Sequence, residues 1–346
     1  MDDRRAAEGA GGRSLWRPSG FPRRCAKSMG TDPNGGAVLL EADVGVVEAR
    51  IVASVLSVVP GAAIAVVAGE DPGTAVALVS GSRRVVQESV AMICGLAAER
   101  SIPHRTLRRA RRLSDWLDRQ TQTVVAFSFL SDSRASLSPL MAPVARALQS
   151  WLESRHSERD SLKLVWNDFA VGISMEPGLV ERMSETLRFF SLVTDGPPGH
   201  THIFVGSRAF SIAMVEANPS VKTLKQAADG LGELLVEIEN YVSYAAILVR
   251  GDNRVMYPTQ DFRHDPPVPG SMSAFNLRHE FDLQIPDVFW WQLVPDAIAS
   301  VVGSEMRVVT VGSFEDWLND TSAPRHPLNE GRHRFREAIV SGKIVA

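Results

Sequence analysis

The chain has 346 residues, of which 45% are hydrophobic and 22% charged, and its formal net charge is -3 at pH 7. This composition is typical of a globular protein and excludes a disulfide-stapled miniprotein, a low-complexity chain and a globally basic nucleic-acid binder. Because one hydrophobic core rarely grows beyond about 250 residues, the length predicts two domains.

The first 35 residues combine glycine, proline and scattered charges without apolar periodicity, which predicts a disordered leader over residues 1–35. No continuous apolar stretch follows its arginines, so we do not expect a secretory signal peptide. The two cysteines, Cys25 and Cys94, form no CxxC pair. Their use is typical of a reducing cytoplasm, which is where we expect the protein.

The most apolar run, Ile51 to Ala68, carries no charge and is long enough to raise the question of a membrane span. Pro60-Gly61 would break a spanning helix near its middle, so we expect no membrane insertion. The run predicts instead a helix from Val46 to Val59 and a buried strand from Ala62 to Ala68. One face of this helix carries Val47, Ile51, Val55 and Val59.

The pattern up to residue 135 predicts an N-terminal α/β module over residues 36–135. Its further elements are a strand Thr74–Val79, helices Arg84–Arg100 and His104–Gln120, and a strand Thr123–Leu130. The serine-rich stretch that follows, residues 131–139, predicts a module boundary.

A C-terminal α+β module of hairpin and helix units is predicted over residues 138–320. Its predicted elements are a helix to about Ser154, hairpins 162–174, 202–216 and 246–257, a helix from Pro177 to about Ser191, a long helix after Pro219-Ser220, a short helix from Pro295-Asp296 toward Val302, a strand 306–311 and a short helix 313–318. Residues 321–346 predict a linker and a marginal helix over 332–340. We therefore expect an α+β fold in two modules, with helices packed on largely antiparallel sheets.

The long helix shows the clearest apolar periodicity of the chain. Apolar residues recur at steps of three and four at Leu224, Ala228, Leu231, Leu235, Ile238, Val242 and Ala245. The segments that start at Phe169 and Phe210 share a degenerate pattern, which suggests a duplicated hairpin plus helix; shared secondary structure explains it equally well. The order of hairpins and helices resembles the helix-backed sheets of secretion chaperones and related peptide-binding modules, an order that many α+β folds share.

Motifs with strong catalytic signatures are missing from the sequence: it has no GxSxG elbow, GxxxxGK[ST] loop, HExxH or EF-hand loop. We therefore expect no cofactor.

His200 and His202 form the most metal-like pair, because residues two apart on a strand point the same way. A metal site would need a third ligand, such as Asp195, His264 or His279. A structural or solvent-exposed histidine pair is the alternative, and we assign no metal.

A proline-rich loop between Asp261 and Pro286 gathers histidines and carboxylates. If the protein is an enzyme, the hypothesis is a hydrolase, possibly metal-assisted in its chemistry, that uses His264, His279, Glu280 and Asp282 for acid and base work. Turn capping and solvation explain the same residues without chemistry.

The predicted helix after Pro103 collects arginines and one tryptophan within an arc of about 100°. The candidate binding residues on it are Arg105, Arg108, Arg109, Arg112 and Trp116. Such a face suits a solvated surface, a protein contact or, given the overall negative charge, less well a nucleic acid.

Three consecutive rings, Phe289, Trp290 and Trp291, cannot all face one side of a regular element. At least one must meet solvent, a neighbouring domain or a ligand, so core packing and a recognition patch are both open.

Together these patterns predict a cytoplasmic protein that binds a protein or peptide partner without catalytic chemistry of its own. The arginine stripe and the Phe289–Trp291 cluster motivate this hypothesis. The hydrolase is the alternative.

Overall fold

A computed structural model describes most of the chain from residue 35 onward. The described residues are 35–108, 123–130, 142–155, 161–167, 169–187, 189–196, 199–206, 209–216, 219–250, 288–318 and 326–335. The fold is α+β, as the sequence predicts, and all strand pairings among the described residues are antiparallel.

The first unit of the fold alternates four strands with two helical segments. In chain order these are β1 (Gly36–Leu40), α1 (Val44–Val47), a π-helical turn (Glu48–Val52), α2 (Ala53–Val58), β2 (Ala63–Ala68), β3 (Ala75–Ser80), α3 (Arg83–Glu99) and β4 (His104–Thr106). The sheet order is β2-β3-β1-β4. This βαββαβ order is the split βαβ arrangement of ferredoxin-like folds.

The first helical segment forms as its periodicity predicts. Val47, Ile51 and Val55 have no exposed surface and Val59 is nearly buried, because all four lie on the face that packs on the sheet. Gly61 then adopts a φ of 81°, which favours glycine and reverses the chain into β2.

The second unit contains the remaining described elements. They are β5 (Thr123–Leu130), α4 (Ala142–Arg155), β6 (Ser161–Trp166), β7 (Phe169–Ile173), α5 (Leu179–Thr186), β8 (Phe189–Gly196), β9 (Gly199–Gly206), β10 (Ala209–Glu216), α6 (Val221–Glu237), β11 (Val242–Arg250), β12 (Trp291–Leu293), α7 (Asp296–Val301), β13 (Val308–Thr310), α8 (Phe314–Trp317) and α9 (Pro327–Arg334). Its nine strands form one sheet in the order β13-β12-β11-β5-β10-β9-β8-β6-β7.

The second sheet contains the same arrangement as the first. Its run β11-β5-β10-β9 corresponds to β4-β1-β3-β2, with α4 and α6 in the places of the two helical segments of the first unit. The segment from β6 to β8 is inserted before β9. The molecule thus contains two split βαβ units, and β4 and β11 occupy equivalent edge positions.

The second helices of the two units, α3 and α6, match in detail. Both have 17 residues and a serine N-cap, Ser82 and Ser220, whose hydroxyl accepts a hydrogen bond from a backbone N–H of the first turn. When the sequences of α3 and α6 are aligned at their N-caps, each buried residue of α3 corresponds to a buried residue of α6. The matched pairs are Val86 with Leu224, Ser89 with Ala227, Ile93 with Leu231, and Ala97 with Leu235.

The two sheets meet where β2 ends beside β7. Glu70 N–H donates to the Gly172 carbonyl (3.2 Å), Ser174 N–H donates to the Ala68 carbonyl (3.1 Å), and the Ser174 hydroxyl donates to the Gly69 carbonyl (2.8 Å). One face of the first sheet belongs to the large core of the second unit. Its other face and the helices α1 to α3 form a smaller core.

The structure corrects several predicted elements. His104–Thr106 is a strand, so the predicted helix from His104 is wrong at its start. The helix after Pro177 ends at Thr186, and Phe189–Gly196 is a strand that pairs with β6 on one side and β9 on the other. Strand β1 was not predicted, and the long helix ends at Glu237, so that Val242 and Ala245 lie on β11.

The predicted module boundary, residues 131–139, lies outside the described residues. Strand β5, assigned to the N-terminal module from the sequence, lies between β11 and β10 in the second sheet. In the C-terminal tail, α9 begins at Pro327, five residues before the predicted helix.

Candidate docking edge

Strand β4 forms an edge of the first sheet, and no described strand pairs with its outer side. Its inner side pairs with β1 in the register Leu40 to His104, Leu39 to Arg105 and Val38 to Thr106. The ladder continues beyond the strand, because Glu41 N–H donates to the Pro103 carbonyl and Leu107 N–H donates to the Ala37 carbonyl, each at 2.9 Å.

This register fixes which backbone groups face outward. In an antiparallel pair, the residues that bond the partner strand alternate with residues that bond the other side. Residues 103, 105 and 107 bond β1, so the N–H and C=O groups of His104 and Thr106 face away from the sheet. The side chains of His104, Arg105 and Thr106 are all exposed.

The two side-chain faces of β4 differ in character. The Thr106 hydroxyl lies 3.9 Å from the Cys94 sulfur, which places Thr106 on the face that carries α3. Arg105 lies on the opposite face, where it lines a cleft of about 590 Å³ with Leu39, Glu41, Asp71 and the β2–β3 turn. Within the described part of the chain, Arg105 forms no ion pair with either carboxylate.

The equivalent edge in the second unit is filled. There β12 pairs along the outer side of β11, with Ala245 opposite Leu293, Ala246 opposite Gln292 and Ile247 opposite Trp291. The chain itself thus adds a strand at the position that no described strand fills at β4.

The predicted arginine stripe is only partly described. Arg105 lies on a strand and Arg108 is exposed just after it, so these two do not share a helical face as predicted. Arg109, Arg112 and Trp116 lie outside the described residues.

The Phe289–Trp291 cluster is buried throughout, with 2%, 8% and 8% of its three side chains exposed. Phe289 packs edge-on against Phe127 at 5.4 Å between ring centroids, and Trp290 packs edge-on against Phe314 at 5.0 Å. Of the two readings left open by the sequence, core packing describes these rings, because α8 supplies a second apolar surface that the ring pattern alone did not reveal.

The histidine pair lies on β9. His202 is buried, and burial lowers its pKa to about 4, so the imidazole is neutral near pH 7. The backbone register sets Asp195 opposite His200 and Val193 opposite His202. Among the residues with described side chains, no cluster of His, Cys, Asp or Glu could hold a metal ion.

The residues of the alternative hydrolase, His264, His279, Glu280 and Asp282, lie outside the described residues. No helix in the described part of the chain combines the length and apolar character that a bilayer crossing requires.

Comparisons with known proteins add little to this geometry. No family model matches the chain, and no curated protein matches it. It is similar over 63% of its length to 97% of a crystallised candidate glycine cleavage system transcriptional repressor, at 12% identity and a TM-score of 0.20. It is similar over 63% of its length to 93% of a microcompartment protein from Desulfitobacterium hafniense DCB, at 13% identity and a TM-score of 0.19. Scores this low carry no argument about fold or function.

Proposed function

We propose that the protein binds an extended segment of a partner protein, which adds as a strand to the outer side of β4. The observation that carries this proposal is the difference between two equivalent edges: β12 fills the outer side of β11, whereas no described strand fills that of β4. Binding by strand addition uses backbone hydrogen bonds for affinity and alternate side chains for specificity.

The outer side of β4 offers the groups that such a segment needs. His104 and Thr106 each present one backbone donor and one acceptor outward. The strand is short and carries exposed polar side chains, which are features that limit unwanted pairing between sheet edges. Because so short a strand offers few backbone hydrogen bonds, the bound segment must also contact side chains of this protein beside the edge.

Side chains for recognition are present on both faces of β4. The cleft beside Arg105 opens next to the edge, and its lining combines one guanidinium with the two carboxylates of Glu41 and Asp71. A mixed lining favours a peptide over a nucleic acid, because a polyanion gains most from a surface of one positive sign. We place this binding activity in the cytoplasm, where the free thiol of Cys94 would remain reduced.

The test uses a phage-displayed library of random linear peptides, selected on the immobilised full chain. Thr106→Pro removes the outward N–H of residue 106 and should abolish enrichment of peptides. An added strand would lose the hydrogen bond from this N–H and would also clash with the proline ring. Thr106→Val keeps the N–H and the branched shape, and it should enrich the same peptides as the unmodified protein. The proposal is wrong if no peptide is enriched, or if Thr106→Pro enriches the same peptides as Thr106→Val.

A further inference from the structure

In the second unit, strand β12, which pairs with the outer side of β11, also lies against helix α6. Trp291 on β12 approaches α6 at Gly232: a Cβ on this glycine would lie 3.6 Å from the indole nitrogen of Trp291. Ile247 on β11 reaches the same point at 3.8 Å. The small residue at position 232 therefore leaves room for the large ring of the added strand.

Cys94 holds the equivalent position in the first unit. It lies as far after the cap Ser82 as Gly232 lies after the cap Ser220, and it contacts Thr106 on β4. Cys94 is half-buried, so part of its surface remains exposed beside β4 among the described residues. In the described part of the chain, the flank of α3 at Cys94 thus keeps some exposed surface at the position where the flank of α6 receives the ring of Trp291.

The other face of an added strand would meet Arg105. Neighbouring strands lie about 4.8 Å apart. A side chain on the added strand opposite Arg105 would therefore be one strand spacing away from this arginine. Glu41 follows β1, and Asp71 lies in the turn before β3. Counted from the added strand, these two carboxylates are about two and three strand spacings away. The nearest charge thus favours a carboxylate on the segment, because exposed charges farther apart than about 8–10 Å are largely screened.

We propose that the segment bound at β4 carries an aromatic residue that lies over Cys94, directly flanked in sequence by a carboxylate residue that pairs with Arg105. The two side chains fall on opposite faces because successive residues of a strand alternate. This inference rests on the proposed function, and it names the chemical class of the partner segment.

The test measures binding of three fluorescein-labelled, capped peptides by anisotropy. The probe is Thr-Val-Glu-Trp-Glu-Val-Thr, and its two controls replace the tryptophan by alanine or both glutamates by lysine. We expect the alanine peptide to bind about tenfold more weakly, because buried aromatic anchors dominate such contacts. We expect the lysine peptide to bind about fivefold more weakly, because cross-strand pairs of opposite charge contribute modestly.

Two variants locate the contacts. Cys94→Phe fills the space over α3 and should weaken the tryptophan peptide to the level of the alanine peptide, which it should leave unchanged. Arg105→Glu should reverse the preference between the glutamate and lysine peptides. Arg83→Glu, the same change at an exposed arginine in the first turn of α3, is the matched control and should leave that preference intact.

The thiol of Cys94 gives an independent readout. In a Cys25→Ser background, the tryptophan peptide should slow alkylation of Cys94 by iodoacetamide at least threefold, and the alanine peptide should not. If both peptides bind equally well and Thr106→Pro blocks both, strand addition stands and the inference about the ring is wrong. If the tryptophan peptide binds Thr106→Pro as well as the unmodified protein, both proposals are wrong.

Discussion

At the scale of single residues, His202 shows how burial shifts the pKa of a titratable group. The sequence marks it as a metal-like histidine because His200 lies two positions before it. In the fold its side chain is 6% exposed, and loss of hydration is the cause that lowers its pKa to about 4. The sequence could not show this, since the burial comes from the sheet that surrounds β9.

His202 should make stability depend on pH. Its folded pKa lies below the ordinary value of 6.5, so the unfolded chain takes up the proton first as the pH falls. Titration of His202 should leave the free energy of unfolding unchanged above about pH 6.5. Between there and about pH 4 it should lower this free energy by at most roughly 3 kcal/mol. Urea unfolding of the unmodified protein and of His202→Gln checks this: the stability difference between them should shrink over that range, and a constant difference would contradict the assignment.

At the scale of elements, one arginine connects the 3-10 turn Glu239–Tyr241, which precedes β11, to the strands at that end of the sheet. The Arg307 guanidinium donates to the carbonyls of Val294 (3.0 Å), Glu239 (2.8 Å) and Val242 (2.6 Å). Its ion pair with Asp296 is long at 3.9 Å, and that carboxylate is 91% exposed, so the carbonyl contacts matter more.

Removing Arg307 should therefore be costly. Arg307→Met leaves three backbone carbonyls without this donor, and we expect the free energy of unfolding to fall by about 2–4 kcal/mol. Arg84→Met is the control, because the Arg84 pair with Glu88 lies on an exposed helix surface and its loss should change stability little. Equal effects of the two substitutions in urea unfolding would show that the carbonyl contacts do not stabilise the fold.

The edge strand gives a second prediction about elements. Arg105 bonds β1 whereas Thr106 faces outward, so proline should be tolerated at position 106 and not at 105. We expect Arg105→Pro to lower the free energy of unfolding by about 1–3 kcal/mol more than Thr106→Pro does. Thermal unfolding of the two variants decides this, and the opposite ranking would mean that the outward groups are wrongly assigned.

Elements with strong local signals were predictable from the sequence. The hairpins of β2–β3, β6–β7 and β9–β10 were predicted, as was α3, because turn residues and periodicity lie within each segment. Strand β1 was missed since Ala37 to Leu40 is too short a run to distinguish, and β4 was read as helix because Arg105 begins an apparent helical spacing of arginines. That no described strand pairs with the outer side of β4 could not be predicted, because it depends on pairing between strands that are distant in sequence.

At the scale of the whole molecule, the two split βαβ units share a core. Val67 and Leu78 of the first sheet belong to the same buried cluster as Trp166 and Ile173 of the second. The sequence predicted two modules but placed β5 in the wrong one, because a strand's own pattern does not reveal which sheet it joins.

The shared core predicts that the two units unfold together. In a Cys25→Ser background, the reactivity of Cys94 reports on the first unit, and the fluorescence of the buried tryptophans of the second sheet reports on the other. The two signals should give the same midpoint in urea. Midpoints that differ would show that the first unit unfolds on its own.

Strand addition at β4 is tested most directly by the exchange rates of its backbone amides. Nuclear magnetic resonance can follow amide hydrogen exchange at His104 and Thr106 with and without the peptide Thr-Val-Glu-Trp-Glu-Val-Thr. The account predicts that saturating peptide slows exchange at these two amides and leaves Val309 on β13 unchanged. Unchanged exchange at His104 and Thr106 in the presence of bound peptide would contradict it.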